Sequence, residues 1–282
     1  MPRKPVTADT DTDQLQDVVR ARLASNLGDP GQPEGAAVAA AIAAAGPEGS
    51  SGGVPAAFVR PVPGSATASV AGVTLTAVGT ATAASLANTA HQSLPRVEYL
   101  VTTASTSATG GVRSSAPLVV REVTGAPTFG GWDIRMRVAP AVGVTNASHR
   151  FFAGLRASSL SPTDVDPSTQ ASCIGFGYDS ADTNLQVMHN DTSGNCTKAD
   201  LGSSFPKPSA DRAAVYEFTC TAAPGATSVA WTVRDVVTGA EASGTITTDL
   251  PASTMPLGFG TWTSVGGVSS TVGTALFALN IE

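Results

Sequence analysis

The sequence predicts a mainly β protein: a short helical N-terminal segment, a linker or stalk, and an antiparallel β-sandwich or jelly-roll head. Composition points there first. Over 282 residues only 13% are charged and 5% aromatic, while Gly (29) and Pro (19) are plentiful. Thr and Val favour strands, and Gly and Pro punctuate turns. Alternation is the second sign. In residues 132–138 Trp132, Ile134, Met136 and Val138 point one way and Asp133, Arg135 and Arg137 the other, the pattern of a half-buried strand. Turn spacing is the third. From about residue 96, apolar runs recur between short turns rich in Gly, Asp, Asn and Pro, which suits a sandwich better than βαβ units.

Residues 1–12 read as a polar arm. Residues 13–27 fit an amphipathic helix: Asp13 can cap it, and Leu15, Val18, Val19, Arg22 and Leu23 share one face, with Leu27 at its end. Gly28-Asp29-Pro30-Gly31 breaks the chain, and a second helix is expected from after Pro33 to Ala45, stopped by Gly46-Pro47. Two short helices bury little by themselves, so residues 1–45 read as a docking segment, with Leu15, Val18, Val19, Leu23 and Leu27 as its contacts. Residues 46–95 read as linker or stalk. Within them 66–92 is an aromatic-free run of Ala, Thr, Val and Gly, either a small strand pair or part of a thin intertwined stalk.

The head is assigned to residues 96–282. Its strands are expected at 97–103, 117–123, 132–138, 150–157, 173–179, 184–190, 196–201, 214–222, 228–236, 242–250, 257–265 and 274–282. No helix is needed after residue 95.

The formal net charge is -6, and no Lys/Arg cluster follows Arg3 and Lys4. Nucleic acid is therefore not an expected partner. The longest apolar stretch, 36–45, is too short to cross a bilayer, and no apolar segment after Arg3 and Lys4 suggests a secretory signal. Three cysteines, Cys173, Cys196 and Cys220, form no disulfide framework and no paired zinc spacing. If 173–178, 184–190 and 196–201 form a meander, Cys173 and Cys196 lie on its outer strands, roughly 9.6 Å apart at twice the strand spacing. Free thiols are expected on that basis.

The densest polar cluster is Asp179, Asp182, Asn184, His189, Asn190 and Asp191. Asp179, Asp182 and Asn184 offer three oxygens to a cation such as calcium, but without the spacing of an EF-hand loop. The simpler account is that these side chains close turns on their own backbone. No cofactor is expected. His189 shares a strand face with Leu185 and Val187, which favours a hydrogen-bonded structural role over a ligand or acid–base role. Trp262, His189, Asn190 and Asp191 are the candidate glycan contacts. Trp262 is singled out because Gly260 and Gly266-Gly267 surround it, while Trp231 and the other aromatics are read mainly as core. No Ser-nucleophile elbow is read from the sequence, since its one G-x-S-x-G run, 49–53, lies in the Gly/Pro/Ser-rich linker, and H-E-x-x-H does not occur. Glu217 and Asp235 are available carboxylates, but nothing marks them as a glycosidase pair, so no enzymatic activity is expected.

The stretches "RFFAGLRAS" (150–158), "IGFGYDSADTNLQVMHNDTSGNCTKADLGSSFP" (174–206), "YEFTC" (216–220), "TDLPASTMPLGFGTWTSVGG" (248–267) and "LFALNIE" (276–282) resemble a domain of tailed-bacteriophage virion proteins of the tail-fibre and head-fibre type. The resemblance covers roughly half the chain. It implies a concanavalin-like β-sandwich assembled as a homotrimer. "LASNLGDPGQPEGAAVAAAI" (23–42) is similar to N-terminal segments that join fibres and spikes to the particle. The implied function is a virion surface subunit, docked on capsid or tail proteins through residues 1–45 and presenting its head to host glycans. A non-adhesive capsid decoration or adaptor for another fibre is the alternative, and a polysaccharide-trimming enzyme the third.

Overall fold

The computed structural model describes residues 57–282, apart from 71–72, 106, 127 and 158–162. The helices and docking face expected in residues 1–45, including Leu15, Val18, Val19, Leu23 and Leu27, lie outside the described residues. In chain order the strands are β1 (Ala57–Pro61), β2 (Ala68–Val70), β3 (Leu75–Val78), β4 (Thr80–Ala83), β5 (Val97–Ser105) and β6 (Thr109–Ser114). They continue with β7 (Trp132–Val142), β8 (Arg150–Ala157), β9 (Cys173–Tyr178), β10 (Gln186–Asn190) and β11 (Thr197–Asp200). The last are β12 (Tyr216–Ala222), β13 (Val229–Asp235), β14 (Glu241–Ile246), β15 (Leu257–Ser264) and β16 (Ser270–Ile281). A single 3-10 turn, Pro167–Thr169, is the only helical element among the described residues.

Two sheets face each other. One has seven strands in the order β11-β10-β9-β8-β15-β6-β3. The other has nine, with β14-β13-β12-β7-β16-β1-β2 as its main path. Strand β16 is long enough to hold two neighbours on one edge. Its first half pairs with β5, which carries β4, and its end pairs with β1. The named strand pairings are all antiparallel.

The alternation of residues 132–138 is realised in β7: Trp132, Ile134, Met136 and Val138 are buried, whereas Asp133 and Arg135 are exposed. Further along β7, its register against β16 shifts beside the Pro140–Thr274 pair, where proline has no N–H to give the ladder. The core between the sheets is centred on aromatics. Phe176 meets Phe218 at 5.3 Å between ring centroids and meets Phe151 and Tyr216 edge-on. Such geometry suits the ring quadrupoles.

The start of the head differs from expectation. Residues 57–95, assigned to linker and stalk, supply β1 to β4, so the sandwich takes in chain from Ala57 onward. Their small side chains fill no core of their own, but their backbones extend sheets built by later strands. Residues 117–123 are not a strand. Leu118 and Val119 pack against the core, yet the backbone makes isolated bridges, Val119 to Leu257 and Val123 to Ala126, in place of a ladder. Strand β6, "TGGVRS", has the composition of a turn. At Gly111 a Cβ would run into the Thr261 carbonyl and the Trp262 side chain, so the glycine serves close strand approach rather than a bend.

The outer face of the nine-stranded sheet is covered by residues 84–96. Leu94 joins the apolar patch of Ala139, Ala141, Val215, Ala275 and Phe277. Beside it, buried Glu98 holds Arg96 at 2.8 Å and Arg212 at 2.7 Å. Burial opposes the charge on Glu98, but the nearby His91 ring at 3.9 Å and the hydrogen bonds from Arg212 and Arg96 hold its carboxyl well below the usual range.

Candidate functional site

A cleft of about 210 Å³ opens where the β10–β11 edge of one sheet meets the β13–β14 edge of the other. Val187, His189 and Ala199 line one wall; Trp231, Gly244 and Ile246 line the other, with Thr245, Thr247 and Thr248. Trp231 is half-buried, whereas Trp132 and Trp262 are buried. Its cross-strand partner is Gly244, where a Cβ would come within 2.7 Å of the indole Cζ2. The glycine therefore leaves room for the ring to lie across β14. Exposed Thr247 and Thr248 follow β14 and bring hydroxyls to the rim. The cleft thus offers a small ligand one aromatic face for stacking and a few hydroxyls for hydrogen bonds.

His189 lies in β10 on the inward face with Leu185 and Val187, all three buried. Its Nδ1 is 3.0 Å from the backbone carbonyl oxygen of Asp249. Asp249 has a left-handed backbone, φ 50°, and its carboxylate accepts the N–H of Asp191 at 3.1 Å and of Thr197 at 3.2 Å. Burial opposes ionisation of Asp249, yet the Thr197 and Asp191 donors hold its pKa below the ordinary carboxylate range. One residue thus ties the histidine and both ends of the β10–β11 turn to the chain that leaves β14.

The other sequence candidates have structural surroundings. Trp262 is 1% exposed. Its ring lies 4.6 Å from Phe152, and the Arg156 guanidinium carbon is 4.6 Å from its centroid. The expectation of an open Trp262 face is corrected: Phe152 and Arg156 occupy the surface a sugar would need. Asn190 is fully buried, and its side-chain amide donates to the Gly194 carbonyl at 3.0 Å. Asp191 is half-exposed and closes a turn by accepting the Ser193 N–H at 2.7 Å. Of the four glycan candidates, only His189 lines the cleft.

The cation candidates are engaged by a lysine. Lys198 Nζ lies 2.9 Å from Asp179 and 2.6 Å from Asp182. Burial opposes its charge, but the bonds to Asp182 and Asp179 outweigh this and raise its pKa. Asp179 also accepts the Ser168 N–H, Asp182 accepts the Asp179 N–H, and Asn184 donates to Asp200. The ammonium stands where a cation would draw the two carboxylates together. Among the described residues no group of three His, Cys, Asp or Glu side chains is arranged to hold a metal. Glu217 is bound to Arg137 at 2.7 Å, and Asp235 caps the turn at Val237 and Thr238. They sit one residue out of step on the β12–β13 ladder, since Asp235 is the partner of Tyr216. They therefore face opposite sides of the sheet and do not flank one cleft.

The sequence reading missed the roles of Trp231, Gly244 and Asp249. The available signal was a tryptophan opposite a glycine in adjacent hairpin strands, followed by the Thr-Thr-Asp run 247–249.

No protein-family profile matches the sequence, and no curated protein matches it. Solved structures do match the fold. Peanut lectin, in a structure with a nine-residue peptide, aligns with TM-score 0.51 and 9% identity over 80% of this chain and 95% of its own. The lectin UEA-II, in complex with galactose, aligns with TM-score 0.52 and 9% identity over 80% and 97%. Lectin II from Ulex europaeus gives TM-score 0.51 and 8% identity over the same shares. The described chain is therefore a lectin-like β-sandwich of two antiparallel sheets.

Proposed function

We propose that this protein is a non-enzymatic virion surface subunit, a fibre or spike whose β-sandwich head binds host-surface glycan. The observation that carries the reading is the cleft in which Trp231 faces His189 beside Thr247 and Thr248. The apolar face of a sugar ring stacks on the indole, and its hydroxyls bond at the threonine rim. A related fold holding galactose supports the sugar-binding half of the proposal. The resemblance of residues 150–282 to fibre proteins supports the virion half, with the N-terminal segment docking on capsid or tail proteins. Homotrimeric assembly belongs to the same reading. Three linked sites, repeated over a particle, convert weak single contacts into firm attachment.

The test is saturable binding of the fluorescently labelled full chain to host cells. Loss of binding after periodate oxidation of surface glycans supports the proposal. A folded protein that binds no cells carrying the receptor of its particle contradicts it. The burial of Trp262 and Asn190 favours a second reading, a capsid decoration or adaptor. That reading predicts no affinity for cells and a second virion protein bound to the head.

A further inference from the structure

Cys173 opens β9, and Cys196 immediately precedes β11. The meander β9-β10-β11 forms as expected from the sequence. In a flat meander the two cysteines would lie on either side of β10, too far apart to bond. The sulfurs are nevertheless 3.4 Å apart. At Cys196 the chain leaves the plane of the sheet: its N–H donates to the Ser168 carbonyl at 2.6 Å, so the side chain folds over the outer face. There both cysteines pack with Phe152, Met188 and Trp262. All three thiols are free, as expected from the sequence, but Cys173 and Cys196 bring their sulfurs closer than a flat sheet leads one to expect.

We infer that Cys173 and Cys196 are a site of covalent cross-linking, forming an intramolecular disulfide by exchange with a small-molecule disulfide. The sulfurs must close by roughly 1.4 Å to reach bonding distance. The less buried thiol, Cys196, loses its proton and attacks one sulfur of the small disulfide, expelling one small thiolate. Cys173 then loses its proton and attacks Cys196 Sγ, expelling the second. Two protein thiols are oxidised, one small disulfide is reduced to two thiols, and the two protons go to those thiolates. The bridge spans the end of β10, the strand that carries His189. It secures the 191–195 turn that Asp249 already holds. Cys220 takes no part: it lies buried in the core beneath the Trp132 indole, whose N–H points to its sulfur at 3.5 Å.

The test refolds the full chain from urea in a glutathione/glutathione-disulfide buffer or in dithiothreitol. Remaining thiols are alkylated and the peptides mapped by mass spectrometry. The expected result is a Cys173–Cys196 linked peptide from the glutathione sample, with Cys220 alkylated only after unfolding. The oxidised protein should melt roughly 6–12 °C above the reduced one. Cys220→Ser should leave the linked peptide in place, and Cys173→Ser should abolish it. Peptide mapping of the wild type decides the matter even if a variant fails to fold. Three alkylatable thiols when the refolded, glutathione-treated protein is acid-quenched and unfolded before alkylation, or a bridge that includes Cys220, would overturn the inference.

Discussion

Nδ1 of His189 sits 3.0 Å from the backbone carbonyl oxygen of Asp249, while the Asp249 carboxylate accepts the N–H groups of Asp191 and Thr197. This links one wall of the cleft to the segment that ends the other. Sheet edges normally splay, and here a single left-handed residue joins the β10–β11 hairpin to the chain after β14.

Asp249→Ala removes two acceptors and places alanine at positive φ. It should destabilise the protein by about 1–3 kcal/mol in urea unfolding. Asp249→Asn should lose less, because asparagine tolerates the left-handed backbone and retains a side-chain oxygen. Equal losses for the two variants would show that the carboxylate charge, rather than backbone conformation, sets the cost.

Trp262 and Trp231 should separate stability from binding. Trp262→Ala empties a buried site and should cost about 3–5 kcal/mol, with glycan affinity unchanged wherever the variant is folded. Gly244→Ala pushes a Cβ against the Trp231 indole. Calorimetric titration with host polysaccharide should show at least tenfold weaker binding, equivalent to about 1.4 kcal/mol. If Trp262→Ala alone abolished binding by a folded protein, the site would lie on the other face of the seven-stranded sheet.

Calcium should leave the melting temperature of the wild type unchanged, because the Lys198 ammonium already occupies the space between Asp179 and Asp182. Lys198→Ala leaves two neighbouring carboxylates without their cation. The variant should melt lower than the wild type and recover part of the loss in millimolar calcium. Calcium stabilisation of the wild type would show that the lysine is displaced from the pair.

His149 is buried against Tyr178, with its Nδ1 3.0 Å from the phenol oxygen. Burial, aided by the positive charge of Lys207, pulls its pKa down to about 3. The unfolded chain takes up a proton near pH 6.5, while the folded one stays neutral until about 3. The stability it supplies is thus complete above 6.5 and is lost as pH falls from there towards 3. The slope from this group approaches about 1.4 kcal/mol per pH unit. Comparing urea unfolding at pH 7 and 5, with NMR titration of the imidazole, checks both sign and site. An imidazole that titrates near 6.5 in the folded protein would contradict it.

The strands most legible in the sequence were those with one wet face or a solid apolar run. Residues 132–138 alternate because β7 faces the core on one side, and residues 150–157 match β8 end to end. Strands β1 and β6 were not legible, and β2 to β4 were legible only as one of two alternatives for residues 66–92. They are short, small in side chain or glycine-bearing, and they become strands because β1, β5, β6, β15 and β16 offer edges to pair with. Edge pairing is a tertiary contact and leaves little trace in local pattern. Trp262 misled for a related reason. Its nearby glycines made it a candidate glycan contact within the expected strand 257–265, yet Phe152 and Arg156 pack against its ring. His189 was half legible: its strand face was plain, but its approach to Asp249, 60 positions away in sequence, was not.

The most direct test of the cleft as a glycan site uses the protein's own tryptophans. Of the three, only Trp231 is half-exposed; Trp132 and Trp262 are buried. Acrylamide quenching of the full chain should therefore report mainly on Trp231. The measurement is that quenching with and without purified host-surface polysaccharide. Protection that saturates with glycan, and is lost in Gly244→Ala, is the predicted result. Glycan that binds while Trp231 stays fully quenchable would contradict the assignment of this cleft.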